Sequence, residues 1–393
     1  MKIGICAPVD CSTFENYLYE KDMVKVKGLG LGGSQVNQIV NELLERGYHL
    51  SIFTLDKSIE EGKEITVCGD NLTVYIGSFR RNKMCAIDFQ KVERRYLEKV
   101  IKEDKPDIVH AHWTYEFALG AINSGIPHII SVRDWAPTIL KLMPNPYRVI
   151  RLLMNYYVFF KGKNFVANSL YIDKKIDGLV KNKFDLVPNA IKDEDFIKTQ
   201  KFLNTKTKKI VSISNGFGKL KNVPILLKAF EKVKNTLPCA TLILIGKDFE
   251  KDGAAHQWVK TNSDDANIEF LGEMPHKEIF HILKDCDLLV HPALEESFGN
   301  TLIEAMSQKV PVIGGKDSGA VPWVLSDSGI LIDITNVDII VKEIVEILQN
   351  EEKWSKYSKY GYQKAYKEFR LSSIVDRYLN HYNSILGLTG SRT

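Results

Sequence analysis

Short apolar, β-branched runs alternate along this chain with longer stretches of helical spacing, the pattern of parallel sheets flanked by helices. In the first half the runs that predict strands are Lys2 to Ala7, Leu50 to Leu55, Leu72 to Ile76, Ile108 to His110, His128 to Val132, Phe165 to Ala167 and Phe184 to Val187. Helices fit between them, notably Ser34 to Arg46, Phe89 to Lys102 and Tyr115 to Asn123. After Pro188-Asn189 the chain turns polar and lysine-rich through Lys209. The alternation then restarts with Ile210 to Ser214, Thr241 to Ile245, Ile268 to Leu271, Leu288 to His291, Val310 to Ile313 and Ile330 to Ile332. The fold class is therefore α/β, with an N-terminal unit over 1–190, a linker over 191–208 and a C-terminal unit over 209–370. The last helical stretch, Trp354 to Leu386, is broken near Leu371-Ser372-Ser373, and 371–386 is expected to cross back to the N-terminal unit. Residues 387–393 offer nothing to bury and read as a disordered tail. Two successive α/β units imply a cleft between them, and in open α/β sheets ligands sit beyond the carboxyl ends of the strands.

Length supports two units, because 393 residues exceed the size at which a single core stops growing. The chain has 44% hydrophobic and 26% charged residues, with no stretch approaching the roughly 20 apolar residues of a membrane span, so a soluble protein is expected. The apolar segment Ile3 to Ala7 is too short for a signal-peptide core, and secretion is not expected. Six cysteines without C-x-x-C spacing suit reduced thiols in the cytoplasm, free or at the inner membrane surface. A formal charge of +4 does not favour nucleic acid as a partner, although a patch facing anionic lipid or phosphates remains open.

The segment most informative about chemistry is Leu288 to Ala305, LLVHPALEESFGNTLIEA, in which a buried strand leads through an acidic loop into a helix that starts near Gly299. The first backbone amides of that helix, around Gly299, Asn300 and Thr301, lack intrahelical acceptors and favour an anion such as a diphosphate. Glu296 precedes the helix and Glu304 lies just over one turn into it, so a carboxylate stands on each side of that anion to accept hydrogen bonds from sugar and ribose hydroxyls. The bland reading is a solvated helix start, where acidic residues are common anyway.

The run E-E-S-F-G-N-T-L-I-E-A resembles the E-x(7)-E signature of retaining glycosyltransferases of family four. The resemblance extends to Gly32-Gly33 before a helix, D-I-V-H-A-H at Asp107 to His112, V-P-N-A-I at Val187 to Ile191 and S-G-A-V-P at Ser318 to Pro322. It implies the GT-B fold, two facing Rossmann-like domains with a cleft between them, and transfer of a sugar from a nucleoside-diphosphate donor to an acceptor hydroxyl. By that resemblance Glu304 holds the ribose hydroxyls and Glu296 touches the transferred sugar near its developing positive charge. Lys221, in SNGFGKLKNVPILLKAF, takes the position of the family's phosphate-binding lysine. Asn215 stands where an arginine is usual, and an amide cannot replace a guanidinium clamp, so Lys219 is a candidate to compensate. Gly216 and Phe298 fall beside these residues and complete the expected donor site. No metal or other cofactor is expected: the triplet Asp285-Cys286-Asp287 joins a helix to a buried strand, where an aspartate caps backbone groups instead.

On the N-terminal side, Gly28 to Gly33 satisfies G-x-G-x-x-G and Asp56 follows the second strand, as in a dinucleotide site. The glycines lie too far after Ala7 for that fingerprint, and read instead as a flexible loop whose Gly33 touches donor phosphate or acceptor. Arg133 in IISVRDWAP either reaches the sugar or phosphate as part of the catalytic set or pairs with Asp134 or another acid; relatives often carry a histidine there. His112 and Asp134 are acceptor-side candidates, with packed histidines the bland alternative for His110 and His112. PYRVIRLLMNYYVFF, Pro146 to Phe160, either rests on a membrane or lipid-linked acceptor or is a helix buried against its own sheet. Expected partners are thus a nucleotide sugar, a glycan or lipid-linked acceptor, and peripheral membrane contact. Competing classes are a nucleotide-sugar epimerase or phosphorylase of the same build, a non-catalytic sugar-binding module and a dehydrogenase.

Overall fold

The computed structural model describes residues 1–81, 83–262 and 266–388; of the tail expected from 387, residues 389–393 lie outside it. The chain divides into two compact units, Met1–Asn189 with the chain from Leu371 onward, and Ala190–Arg370.

The first unit holds an eight-stranded sheet. Seven strands run parallel, and one edge strand, Glu64–Cys68, pairs antiparallel with Leu72–Ser78. That edge strand went unpredicted because it is short and half-exposed, and so lacks a buried apolar run. The expected strand Phe184 to Val187 forms instead at Asn182–Phe184, while Val187 is buried and its amide donates once to Ala167 O, 2.9 Å. Helix Leu371–Ile385 belongs to this unit. It buries Ile374, Tyr378 and Tyr382, and Arg46 anchors it through Asp376 (2.6 Å) and Ser372 O (2.9 Å).

The second unit is a six-stranded, wholly parallel sheet whose spatial order, counted along the unit, is 3-2-1-4-5-6. Alternate residues of each central strand feed different cores, as the two-residue period of a strand covered on both faces requires. Ile210, Leu242 and Leu244 pack against helices Val223–Thr236 and Val337–Gln349, while Val211, Ile213 and Ile243 pack against His276–Asp285 and Asn300–Ser307. The segment 191–208, expected as a linker, is part of this unit. Ile191 and Phe196 are buried in its second core, and Ile191 N donates to Phe369 O at 2.8 Å. Its polarity misled because few apolar residues enter the cores and polar contacts such as Asn204 N to the Asp287 carboxylate (3.1 Å) fasten the rest.

The glycine loop of the first unit is fastened rather than loose. Leu31 N donates to Val9 O (2.9 Å), and Gly30 N donates to the Asp56 carboxylate (2.7 Å), which also takes Ser58 N (2.6 Å). Asp56 is thus the anchor of the loop and not a ribose partner. Gly33 has φ +117°, and a Cβ there would stand 2.3 Å from Pro8 O, so the close approach of the loop to the first strand requires glycine.

Candidate functional site

In an open sheet of order 3-2-1-4-5-6 the ends of the first and fourth strands diverge, and a crevice opens where they part. In the second unit these strands are Lys208–Ile213 and Leu288–His291. A pocket of about 320 Å³ lies there, lined by Ile213, Ser214 and Asn215 after the first strand and by His291 at the end of the fourth. Gly299, Asn300 and Thr301 form another wall. Gly299 is the N-cap of helix Asn300–Ser307 with φ +91° and brings no capping side chain, so the first amides of that helix are left to solvent, backbone or ligand.

Two loops bring the charged groups together. Leu294 N donates to Leu220 O (2.9 Å), which joins the loop after Leu288–His291 to the turn Lys219–Lys221. Ala320 N donates to Glu296 O (2.9 Å), so the S-G-A-V-P segment braces the backbone of the acidic loop. A Cβ on Gly319 would stand 2.3 Å from that same oxygen. With both loops fixed, Lys221 Nζ meets Glu296 Oε1 at 2.6 Å, and His291 Nε2 lies 3.4 Å from the same oxygen. Burial raises the Glu296 carboxyl, but His291 and Lys221 outweigh it and bring it from 4.5 down to about 2. The pocket therefore holds a carboxylate that stays ionised through the neutral range, paired with Lys221.

Glu304 is placed differently. It is buried on the same helix but is not among the residues lining the pocket, and its Oε1 meets His276 Nε2 at 2.9 Å. The carboxylate raises the His276 imidazole, against a smaller opposing effect of burial. Phe298, expected at the donor, corrects to a core residue: it is 1% exposed and stacks edge-on against Trp323 and Phe369. Gly299, the next residue, lines the pocket, while the Phe298 ring turns into the core of the second unit. Asn215 lines the pocket, whereas Lys219 is exposed and neither it nor Gly216 is among the lining residues. The Asp287 carboxylate accepts from Lys209 N (2.8 Å) and Asn204 N (3.1 Å), the backbone capping its setting implies. Glu273 and Lys247 line the pocket from outside any motif, and His291 lines it from within the Leu288 to Ala305 segment, where its position at a strand end was the signal.

Of the first-unit candidates, His112 is buried and Arg133 and Asp134 are partly buried. Arg133 pairs with no acid among the described residues: Nε donates to His112 Nδ1 (3.0 Å) and Nη1 to Asn189 Oδ1 (2.7 Å). His112 Nδ1 is then an acceptor, so the ring proton sits on Nε2, which finds no hydrogen-bond partner among the described residues. Burial, with His110 and Arg133 adding to it, holds His112 well below its ordinary value and hence neutral. His110 is a satisfied core histidine, bonded to Tyr382 Oη (2.6 Å) and Ser131 Oγ (2.7 Å). Asp134 accepts from Tyr115 Oη at 2.9 Å, and burial raises its carboxyl.

Residues 32–195 match the family model described as Glycosyltransferase Family 4, and residues 193–364 match Glycosyl transferases group 1. The chain is 23% identical over 376 residues to N-acetyl-alpha-D-glucosaminyl L-malate synthase of Bacillus anthracis, covering 92% of this chain and 95% of that one. It is 28% identical over 167 residues to O-antigen chain mannosyltransferase B of Escherichia coli, 41% of this chain and 42% of that one. Among solved structures, sucrose-phosphate synthase from Thermosynechococcus elongatus aligns with TM-score 0.77 at 15% identity, over 99% of this chain and 100% of that one. Anabaena HepE in complex with UDP-glucose aligns with TM-score 0.69 at 15% identity, over 98% and 100%. With consecutive glycosyltransferase models matching from residue 32 to residue 364, and two parallel α/β units beneath them, the chain belongs to the family-four glycosyltransferases of GT-B fold.

Proposed function

We propose that this glycosyltransferase takes its sugar from a nucleoside-diphosphate donor bound in the second-unit pocket and transfers it with retention of configuration to an acceptor hydroxyl. The observation that carries the reading is the meeting of Lys221, Glu296 and the start of helix Asn300–Ser307 in one pocket at the switch point of the sheet. The amides at Gly299 to Thr301 and the Lys221 ammonium offer positive potential to a diphosphate, and the ionised Glu296 faces the positive charge that develops on the sugar ring. The bond from the anomeric carbon to the diphosphate oxygen breaks ahead of attack. The acceptor oxygen then bonds to that carbon on the same face, and its proton passes to the departing diphosphate. Fixed donors serve the leaving group in this scheme, so no divalent ion is required. Support for a nucleotide sugar also comes from Anabaena HepE, a fold relative solved with UDP-glucose.

The acceptor in this proposal is a glycan or a lipid-linked glycan in polysaccharide or glycolipid synthesis, reached from the cytoplasmic side with peripheral membrane contact. His112, Arg133 and Asp134 are proposed to shape the acceptor side. Glu304 is proposed for the ribose: a carboxylate accepts about four hydrogen bonds, and His276 occupies one of them. A thermal-shift panel of nucleotide sugars, with and without chelator, tests the reading. One donor class should raise the melting temperature by mass action, unchanged by chelator. A flat response to every donor, or transfer abolished by chelation, overturns it.

A further inference from the structure

Helix Pro146–Lys161 has two unlike long faces. Met154, Val158 and Phe159 are buried in the first-unit core, and Arg151 is buried against Glu116, so the helix is docked on its own sheet as one reading of its sequence required. The other face carries Val149, Leu153, Tyr156, Tyr157 and Phe160, spaced as one continuous helical stripe and all exposed, Leu153 by 54% and Phe160 by 71%. A stripe of large apolar side chains that crosses no core position is not explained by folding.

The charge around the stripe has one sign. From Trp135 to Ile172 the chain contains no aspartate or glutamate, but besides Arg151, which is paired with Glu116, it contains Lys141, Arg148, Lys161 and Lys163. The Lys161 ammonium lies 5.6 Å from the Phe160 ring and 5.9 Å from the Tyr157 ring, so a cation stands at the rim of the exposed aromatic surface. Asp88, on the turn packed beside this helix, is engaged by both terminal nitrogens of Arg80. Aromatic and aliphatic side chains flanked by unopposed lysines match a lipid surface, apolar below the headgroups and negative at them. No described helix is long and apolar enough to cross a membrane, so this one would lie in the interfacial plane.

We infer that the exposed stripe of helix Pro146–Lys161 is the surface by which the protein docks on an anionic bilayer. The inference rests on the peripheral contact proposed above and names where that contact is made. Its test is flotation of the full chain with vesicles of phosphatidylcholine alone and of phosphatidylcholine mixed with phosphatidylglycerol. The wild type should float with the mixed vesicles and far less with the neutral ones. Leu153→Ser with Phe160→Ser should abolish flotation, while K161Q with K163Q should weaken it roughly fivefold per cation, about thirtyfold together. All four side chains are exposed, and unchanged melting temperatures identify the variants as folded. A wild type that stays off both vesicles overturns membrane contact altogether. Variants that float as well as the wild type overturn this surface and leave the contact standing. A wild-type dimer that the Leu153 and Phe160 changes dissolve assigns the stripe to a second copy and overturns the lipid assignment.

Discussion

Replacing Glu296 by glutamine tests the electrostatics of the pocket without needing a substrate. The carboxyl is 17% exposed and lies at about 2 in the folded protein against an ordinary 4.5. A depression of that size is worth about 3 kcal/mol of folding stability at neutral pH. The sign follows from the direction: a lowered carboxyl contributes fully above its unfolded value of 4.5, and the contribution fades as pH falls through about 2. Glutamine keeps an oxygen that can accept from Lys221, so the comparison reads the charge more than the contact. Wild type should therefore be more stable than E296Q by about 3 kcal/mol at pH 7, about 2.5 at pH 4 and about 1.5 at pH 3. Urea unfolding followed by tryptophan fluorescence at each pH gives the difference, with the transition of the second unit fitted separately because each unit has its own core. An E296Q protein as stable as wild type at pH 7, or a gap that does not narrow between pH 7 and pH 3, refutes the account of Glu296 as an anion stabilised by Lys221 and His291.

Lys221→Met removes the ammonium offered to the leaving group, and kcat for the donor found by the panel should fall about 10²- to 10³-fold; an unchanged kcat refutes that role. Gly299→Ala forces a Cβ onto a residue with φ +91° and to 2.8 Å from Leu302 Cδ1, so a melting temperature lowered by the equivalent of about 1–3 kcal/mol is expected together with weaker donor binding by calorimetry. The imidazole of His276 should titrate above its ordinary 6.5 by NMR, because the Glu304 carboxylate holds its proton against the opposing effect of burial. Its contribution to stability is complete below 6.5 and disappears as pH rises through the raised value, and Glu304→Gln should bring the titration back down.

The sheets were legible because each buried parallel strand is a short apolar run whose alternate residues both find a core, as Ile210 and Val211 do on opposite faces. Where that rule fails, so does the reading. Glu64–Cys68 pairs at an edge with only Val67 buried, and 191–208 is polar yet fastened by Ile191 and Phe196 in the core and by bonds such as Asn204 N to Asp287. The stripe on Pro146–Lys161 was ambiguous for the opposite reason: both faces are apolar, and only coordinates separate the buried Met154 and Val158 from the exposed Leu153 and Phe160.

The candidate residues of the two units differ in legibility for the same kind of reason. The second-unit wall is local: Glu296, Gly299, Asn300 and Thr301 come from a single strand, loop and helix, so their spacing alone placed them together. Even Lys221, 75 residues away, was found through the motif around it, although the contact depends on the bond from Leu294 N to Leu220 O that no motif encodes. In the first unit the relations are long-range throughout. His110 is satisfied by Ser131 and by Tyr382, 272 residues away, and Arg133 turns from the adjacent Asp134 to His112 and Asn189. That choice fixes the tautomer of His112 and leaves its Nε2 proton without an acceptor among the described residues. A buried donor without a partner costs about 1–3 kcal/mol. A bound acceptor oxygen would satisfy that proton, so His112→Phe should lower transfer to the acceptor; because the change also takes the hydrogen-bond acceptor from Arg133 Nε, the variant should be less stable than wild type. Transfer that persists unchanged in that variant would show the unpaired proton to be incidental.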